Sequence, residues 1–392
     1  MMLSLDKSTW QRVKFGDVVT NANVKSADPE TDGIDRVIAM EHLDPGELAI
    51  TRWGPLDSGT TFTRRVSAGQ TLFGKRRAYQ RKVAYAEFDA ICSGDILTFE
   101  AIAGKLLPEL LPFIVQSDPF FERAVGTSAG SLSPRTNWRD LAKFEFDLPP
   151  LDEQKRISDL LWALEQCTRS AAELADLLQE NLSTWVNREI ASSGWNEIPV
   201  ENLLVSGPTN GLSARANDQK IGLPTLSISA VRSGILSPKN AVKYVDVDPK
   251  KAAKYTIKDG DVFVVRGNGN RGLVAQSGIA AGNLPSGCIF PDLLIRLRFD
   301  RDKIIPDFAV TQWNSTPAHN SLVKKAKSTN GTWKVNGKDI RSHTLRVPSI
   351  DTQDEFLKEV SRFKNSLTSL EGEATTLAEA RTSLLSSVFG AL

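Results

Sequence analysis

Residues 140–167 read DLAKFEFDLPPLDEQKRISDLLWALEQC: a short alternating apolar run, a double proline at Pro149 and Pro150, and then a stretch without Gly or Pro. The passage returns 199 residues later, because DIRSHTLRVPSIDTQ at 339–353 lines up with DLAKFEFDLPPLDEQ at 140–154. Working outward, other pairs keep the same order. WQRVKFGDVV from Trp10 resembles WNEIPVENLL from Trp195. YAEFDAICSGDILTF around Cys92 corresponds to NLPSGCIFPDLLIRL around Cys288. GKLLPELLPFIVQSDP from Gly104 matches DKIIPDFAVTQWNSTP from Asp302. Chance does not preserve such an order, so the chain reads as a tandem duplication with a modest insertion in the second copy.

Each copy has two parts. The first is rich in short β-type runs such as RVIAM, DILTF, DVFVV and LLIRLRF, broken by Gly, Pro, Asn and Asp, with one helix expected at LLPELLPFIVQS and its counterpart. The second has a helical period. In the later copy Phe356, Val360, Phe363, Leu367, Leu370, Ala374, Leu377, Leu384 and Val388 step by fours and threes, with Arg381 interrupting the seam. Subtracting 199 gives Ile157, Leu161, Leu164, Thr168, Ala171, Ala175, Leu178, Leu182, Trp185 and Glu189. Asp152 and Asp351 stand after proline stops, where N-caps are expected. A helix of about 40 residues is roughly 60 Å long, so a helix leading from one domain to the next holds them apart, and the second can return antiparallel beside the first. The expected fold class is α+β: two mixed α/β recognition domains at 1–148 and 194–347, separated by two long antiparallel helices at 149–193 and 348–392 in a pseudo-two-fold arrangement.

Composition bounds the function. With 392 residues, 41% hydrophobic and 24% charged, the chain is expected to form two or three soluble globular domains. No run approaches a membrane span, and the start lacks a charged segment followed by an apolar one, so a cytoplasmic protein is expected. Cys92, Cys167 and Cys288 are too scattered for a disulfide framework or a zinc site, and His42, His319 and His343 form no metal-binding spacing. Net charge is +1, yet residues 202–350 carry 22 Lys and Arg against 10 Asp and no Glu. Between Asp57 and Glu87 there are seven basic residues, no acidic one, and the interleaved aromatics Phe73, Tyr79 and Tyr85. Clustered cations of this kind suit phosphate neutralisation.

Two near-motifs for nucleotides fail on inspection. GQTLFGKR, residues 69–76, lacks the hydroxyl after its lysine and continues basic. GNGNRG, residues 267–272, satisfies GxGxxG but is followed by LVAQSGIAAGNLPSG, which Gly and Pro break. No NPPY-like motif for adenine methylation is present, and no Glu lies between 202 and 354 to build an acidic nuclease cluster. No catalytic, cofactor or metal site is expected on the chain.

FDLPPLDEQKRISDLLWALEQC and the long helix after it, together with GQTLFGKRRAYQRKVAYAEFDAICSGDILTF, resemble the specificity subunits of type I restriction-modification systems. The resemblance covers nearly all of the chain; IDTQDEF departs from it by lacking the Glu-Gln pair of Glu153 and Gln154. It implies a non-catalytic subunit that reads a split double-stranded DNA target, each target recognition domain taking one half and the helices setting an unread spacer. It also implies partners: two modification subunits, which bring AdoMet and methylate adenine, and two restriction subunits, which supply ATP- and Mg-dependent translocation and cleavage.

The DNA contacts expected in the first domain are Lys75, Arg76, Arg77, Tyr79, Gln80 and Arg81, with Ser131, Arg135 and Asn137. In the second they are Arg266, Asn268, Asn270 and Arg271, with Lys324, Lys325, Lys327, Asn330 and Lys334. Arg can bridge guanine O6 and N7, Asn and Gln can pair with adenine, and Lys neutralises phosphate. Two other classes compete: an enzyme fused to its own recognition domains, which needs a cofactor loop and an acidic motif, and an assembly protein whose domains bind protein, whose DNA affinity is weak and insensitive to salt.

Overall fold

The structure is a computed structural model that describes residues 6–56, 60–217, 219–282, 284–329 and 331–390. The chain divides into two compact units, Met1–Glu173 with Glu371–Leu392, and Leu174–Leu370. Its class is α+β, with mixed sheet and helix in each unit and two long helices, Leu151–Ser192 and Ile350–Phe389.

In the first unit, Val19–Asn21, Ile96–Ala101, Thr71–Gly74 and Val83–Tyr85 form an antiparallel four-stranded sheet. A second sheet sets Arg36–Ile38 parallel to Ala90–Cys92, with Gly54–Pro55 and Arg64–Val66 at its edges. The sequence GQTLF and GDILTF make central strands because their apolar residues can be buried on both faces, and Thr71, Leu72, Phe73, Leu97, Thr98 and Phe99 are all buried. Phe73, Phe99 and Phe120 meet Phe15 in a ring cluster with edge and stacked contacts. Against that core lie Ile157 and Leu161 from the start of the first long helix, and Leu384 and Val388 from the end of the second.

The second unit repeats the plan. Leu204–Asn210, Leu294–Phe299, Val262–Val265 and Ser277–Ile279 are neighbours in a six-stranded sheet. Helices Pro306–Trp313 and Thr316–Val323 follow, as Leu111–Gln116 and Asp118–Gly126 do in the first unit. Here the end of the first long helix (Leu182, Val186) packs with the start of the second (Phe356, Val360), and Trp185 stacks on Phe356 at 5.0 Å. The two helices therefore run antiparallel, and the apolar stripe read from sequence faces inward on both.

Three local readings change. The helices begin at Leu151 and Ile350, and the carbonyls of Pro150 and Ser349 accept the first helical hydrogen bonds, from Gln154 and Gln353. Pro150 and Ser349 are therefore the caps, while Asp152 and Asp351 sit two residues further on, inside the first turn and beside the positive end of each helix. Strand register pairs Val37 with Ile91 in one unit and Thr225 with Ile289 in the other, so Cys92 and Cys288 occupy nearby but not equivalent positions. Arg381 does not break the seam: it pairs with Glu165, a buried position in the same unit.

The helix entry also shows that the second copy keeps more of the first than its sequence suggests. Gln154 accepts from Leu107 N at 2.9 Å and donates to the carbonyls of Lys105 and Pro149 at 3.0 and 2.9 Å. Gln353 accepts from Ile305 N at 2.8 Å and donates to Lys303 and Pro348 at 3.1 and 3.0 Å. Both amides are buried. Only Glu153 lacks a counterpart, and its carboxylate accepts from the Trp10 indole at 2.9 Å. Among the described residues no helix is long and apolar enough to cross a membrane.

Candidate nucleic-acid interface

In the first unit the two stretches singled out by sequence meet. The strand Thr71–Gly74 ends at Lys75, whose N–H donates to Asp95 O at 2.9 Å and whose carbonyl accepts from Thr136 N at 3.1 Å. Arg77 N donates to Pro134 O at 2.7 Å, and Arg76 bridges Arg135 in β fashion. Arg77 and Arg81 take left-handed backbone with φ of 54° and 55°, an uncommon conformation for residues bearing a Cβ. They bracket the single turn Ala78–Gln80, which buries Ala78 and leaves Tyr79 exposed with Gln80 at its side.

The electrostatics centre on Asp95. Arg135 Nε and Nη2 donate to its two oxygens at 2.8 and 3.3 Å, and Arg76 Nη1 stands 3.6 Å away. The hydrogen bond from Arg135, with Arg76 and Lys75 nearby, holds the Asp95 carboxyl below the usual carboxylate range. Partial burial, then the Arg64 and Arg135 cations, pull the Lys75 ammonium below its ordinary range against the opposing pull of Asp95. One carboxylate thus faces several cations, and the cluster keeps an excess of positive charge.

The second unit uses the same backbone frame. Arg266 N donates to Leu293 O at 2.8 Å and Val335 N to Arg266 O at 2.9 Å. Gly267–Asn268 pairs with Thr332–Lys334, which pairs with Lys327–Thr329. Lys75, Arg76, Asp95 and Arg135 therefore have as counterparts Arg266, Gly267, Leu293 and Lys334. Lys327 and Lys334 lie directly opposite each other and exposed. Arg271 stacks over the Trp333 ring at 4.6 Å, a cation held on an aromatic face.

Several expected contacts have other duties. Asn137 caps the short helix Trp138–Leu141 by accepting from Asp140 N. Asn268 and Asn270 turn their side-chain oxygens to the N–H groups of Asn270 and Gly272. Arg81 is tied to Asp118 at 2.6 Å and lies over Phe121, and Lys325 reaches Ser342 Oγ at 3.2 Å. Arg266 donates to Asp292 O at 3.3 Å. Ser131 and Lys324 are exposed, and Asn330 lies outside the described residues. Sequence reasoning missed Asp95, Ser133, which accepts from Arg76 at 3.0 Å and Arg77 at 3.5 Å, and Trp333. Asp95 lies in the SGD turn of the repeated segment; the alignment with Leu293 in the other copy carried the signal.

Neither near-motif is a strand–loop–helix. After Lys75 comes the turn Ala78–Gln80, and after Gly267–Asn268 the turn Arg271–Leu273. Among the described residues no group of three or more His, Cys, Asp or Glu is placed to hold a metal ion. Cys92 and Cys288 are buried, which pushes their thiols up to about 12 and about 11.

Fold and site together define a twin-module protein whose modules present matched basic loops on one shared frame. Residues 7–180 match the type I restriction modification DNA specificity domain. The chain is 28% identical over 288 residues to the type I restriction enzyme EcoKI specificity subunit of Escherichia coli K12, covering 68% of this chain and 61% of that protein. It is 24% identical over 321 residues to the StySPI specificity subunit of Salmonella potsdam, covering 76% and 65%. The matches thus span somewhat under two thirds of the length of these relatives. In fold it is similar to the type I restriction-modification S subunit from M. genitalium, with TM-score 0.58, 13% identity and coverage of 100% and 99%. It is also similar to a chain from a structure of type I R-M complex assembly and conformational transition, with TM-score 0.59, 17% identity and coverage of 98% and 99%. Residues 7–180 thus carry a type I restriction modification DNA specificity domain, and over most of its length the chain is similar to specificity subunits of type I restriction enzymes.

Proposed function

We propose that this chain binds double-stranded DNA as a sequence reader, each unit taking one half of a split target, with the long helices setting the unread length between the halves. The observation that carries this reading is the recurrence of one frame in both units, Lys75 with Arg135 and Arg266 with Lys334, offering cations on equivalent loops. Arg, Lys and a stacked Arg271–Trp333 pair are groups that meet base edges and phosphates.

In this reading the chain performs no chemistry. It recruits two modification subunits that carry AdoMet and methylate adenine, and two restriction subunits that use ATP and Mg, and it works in the cytoplasm. Salt separates it from a protein-binding scaffold, because phosphate contacts release counterions and the affinity then falls steeply between two salt concentrations.

Exchange of residues 1–148 for the first domain of another family member tests the proposal in the assembled enzyme. The expected outcome, read by mapping methylated adenines, is a change in one half of the target with the other half kept. Change in both halves, or a target without two parts, overturns it.

A further inference from the structure

We infer that Asp95 is a positioning residue for base recognition: it grips the side edge of the Arg135 guanidinium so that the N–H groups at the tip read a guanine in the half-target of the first unit. The inference rests on the DNA-reading function proposed above.

A guanidinium has five N–H donors in a rigid fork. Asp95 takes two of them, from Nε and Nη2 of Arg135, at 2.8 and 3.3 Å. Among the described residues nothing accepts from Nη1, and the Arg135 side chain keeps 48% of its surface open to solvent. Of the three donors left, one on Nη1 and one on Nη2 form a planar pair at the tip, matched to the two acceptors O6 and N7 on the major-groove edge of guanine. A carboxylate that fixes the plane of the fork removes rotamer freedom before binding, which is where pre-organisation adds discrimination. Asp95 itself is well placed for this work. Its side chain is only 20% exposed, its backbone carbonyl is pinned by Lys75 N, and Arg76 Nη1 stands 3.6 Å from the carboxylate.

The duplicated unit argues that the pair is not there to hold the fold. The second unit keeps the same backbone bonds with Leu293 in the place of Asp95, Gly267 in the place of Arg76 and Lys334 in the place of Arg135. The frame closes without any carboxylate at that position. The ion pair is thus dispensable for the architecture, and its presence in the first unit fits a role toward a ligand. In the second unit the exposed Lys327 and Lys334 are flexible point charges suited to phosphate.

The test is selection from a randomised duplex library by the full chain in complex with its modification subunits, comparing the native protein with Asp95→Asn, Asp95→Glu and Arg135→Lys. The native complex is expected to select a two-part consensus. Asp95→Asn and Arg135→Lys are each expected to lower enrichment of guanine at one position of one half at least tenfold. The other half serves as the internal check on folding, and Asp95→Glu is expected to restore part of the preference. Unchanged guanine enrichment in both variants overturns the inference while leaving the DNA-reading function standing. Equal loss in both halves assigns Asp95 a purely structural role and overturns it too. A native complex that selects no two-part consensus overturns the function on which the inference rests.

Discussion

Gln154 and Gln353 are neutral, buried residues, and each satisfies three backbone groups where a long helix leaves its domain. Each hydrogen bond is worth about 1 kcal/mol net, and an orphaned buried partner raises the loss. Replacement of either by Ala is expected to destabilise the chain by about 2–4 kcal/mol, read by urea unfolding of the full-length protein. His343 offers a second test. Burial, assisted by Lys325, lowers its pKa from 6.5 to about 4, and it packs edge-on to Trp313 at 4.9 Å. Because the folded state favours the neutral ring, the stability it contributes is complete above pH about 6.5 and is lost as pH falls toward 4, by up to about 3 kcal/mol. Thermal unfolding across that range is expected to lose part of its acid dependence in His343→Phe. At this scale the sequence was an uneven guide. The offset of 199 that pairs Gln154 with Gln353 also pairs the caps Asn137 and Asn336. Residue type alone could not separate Asn137 and Asn270, which bind their own backbone, from Arg135, which faces outward, since an amide suits a cap as well as a base.

At the scale of elements, the long helices were readable because a heptad stripe and a proline stop survive any change of partner. Charge inside the stripe was not. Glu165 lies beside Leu164 in sequence, but it is Glu165 that is buried, opposite Arg381, while Leu164 is partly covered. Burial pulls the Arg381 guanidinium below its ordinary range. Removing one partner leaves the other charge in an apolar seam, so Glu165→Ala is expected to destabilise the first unit by about 3–5 kcal/mol. Replacing both Glu165 and Arg381 by Leu is expected to recover most of that loss in the same unfolding measurement. The strands were legible where apolar runs such as DVFVV and DILTF are buried on both faces. Their equivalence between copies was harder to see, because Thr71–Gly74 and Val262–Val265 are related by 191 residues, not 199. Loops of different length shift the offset while leaving the sheet order intact.

For the whole molecule, the long helices make a simple demand on the proposed function. A helix advances 1.5 Å per residue and duplex DNA 3.4 Å per base pair. Seven residues inserted between Glu165 and Gln179, with seven added at the facing level of the second helix, preserve the heptad phase. The unread segment is then expected to lengthen by about three base pairs, with both halves of the target unchanged when methylated adenines are mapped. The shared frame has its own consequence. Its bonds run between main-chain atoms, so Lys75 and Arg266, or Asp95 and Leu293, hold one geometry with unrelated side chains. Under the proposed function, letters of the recognised word can therefore drift by single substitutions that the scaffold does not feel, and a lineage carrying this chain can explore new addresses on DNA without first surviving a misfolded ancestor.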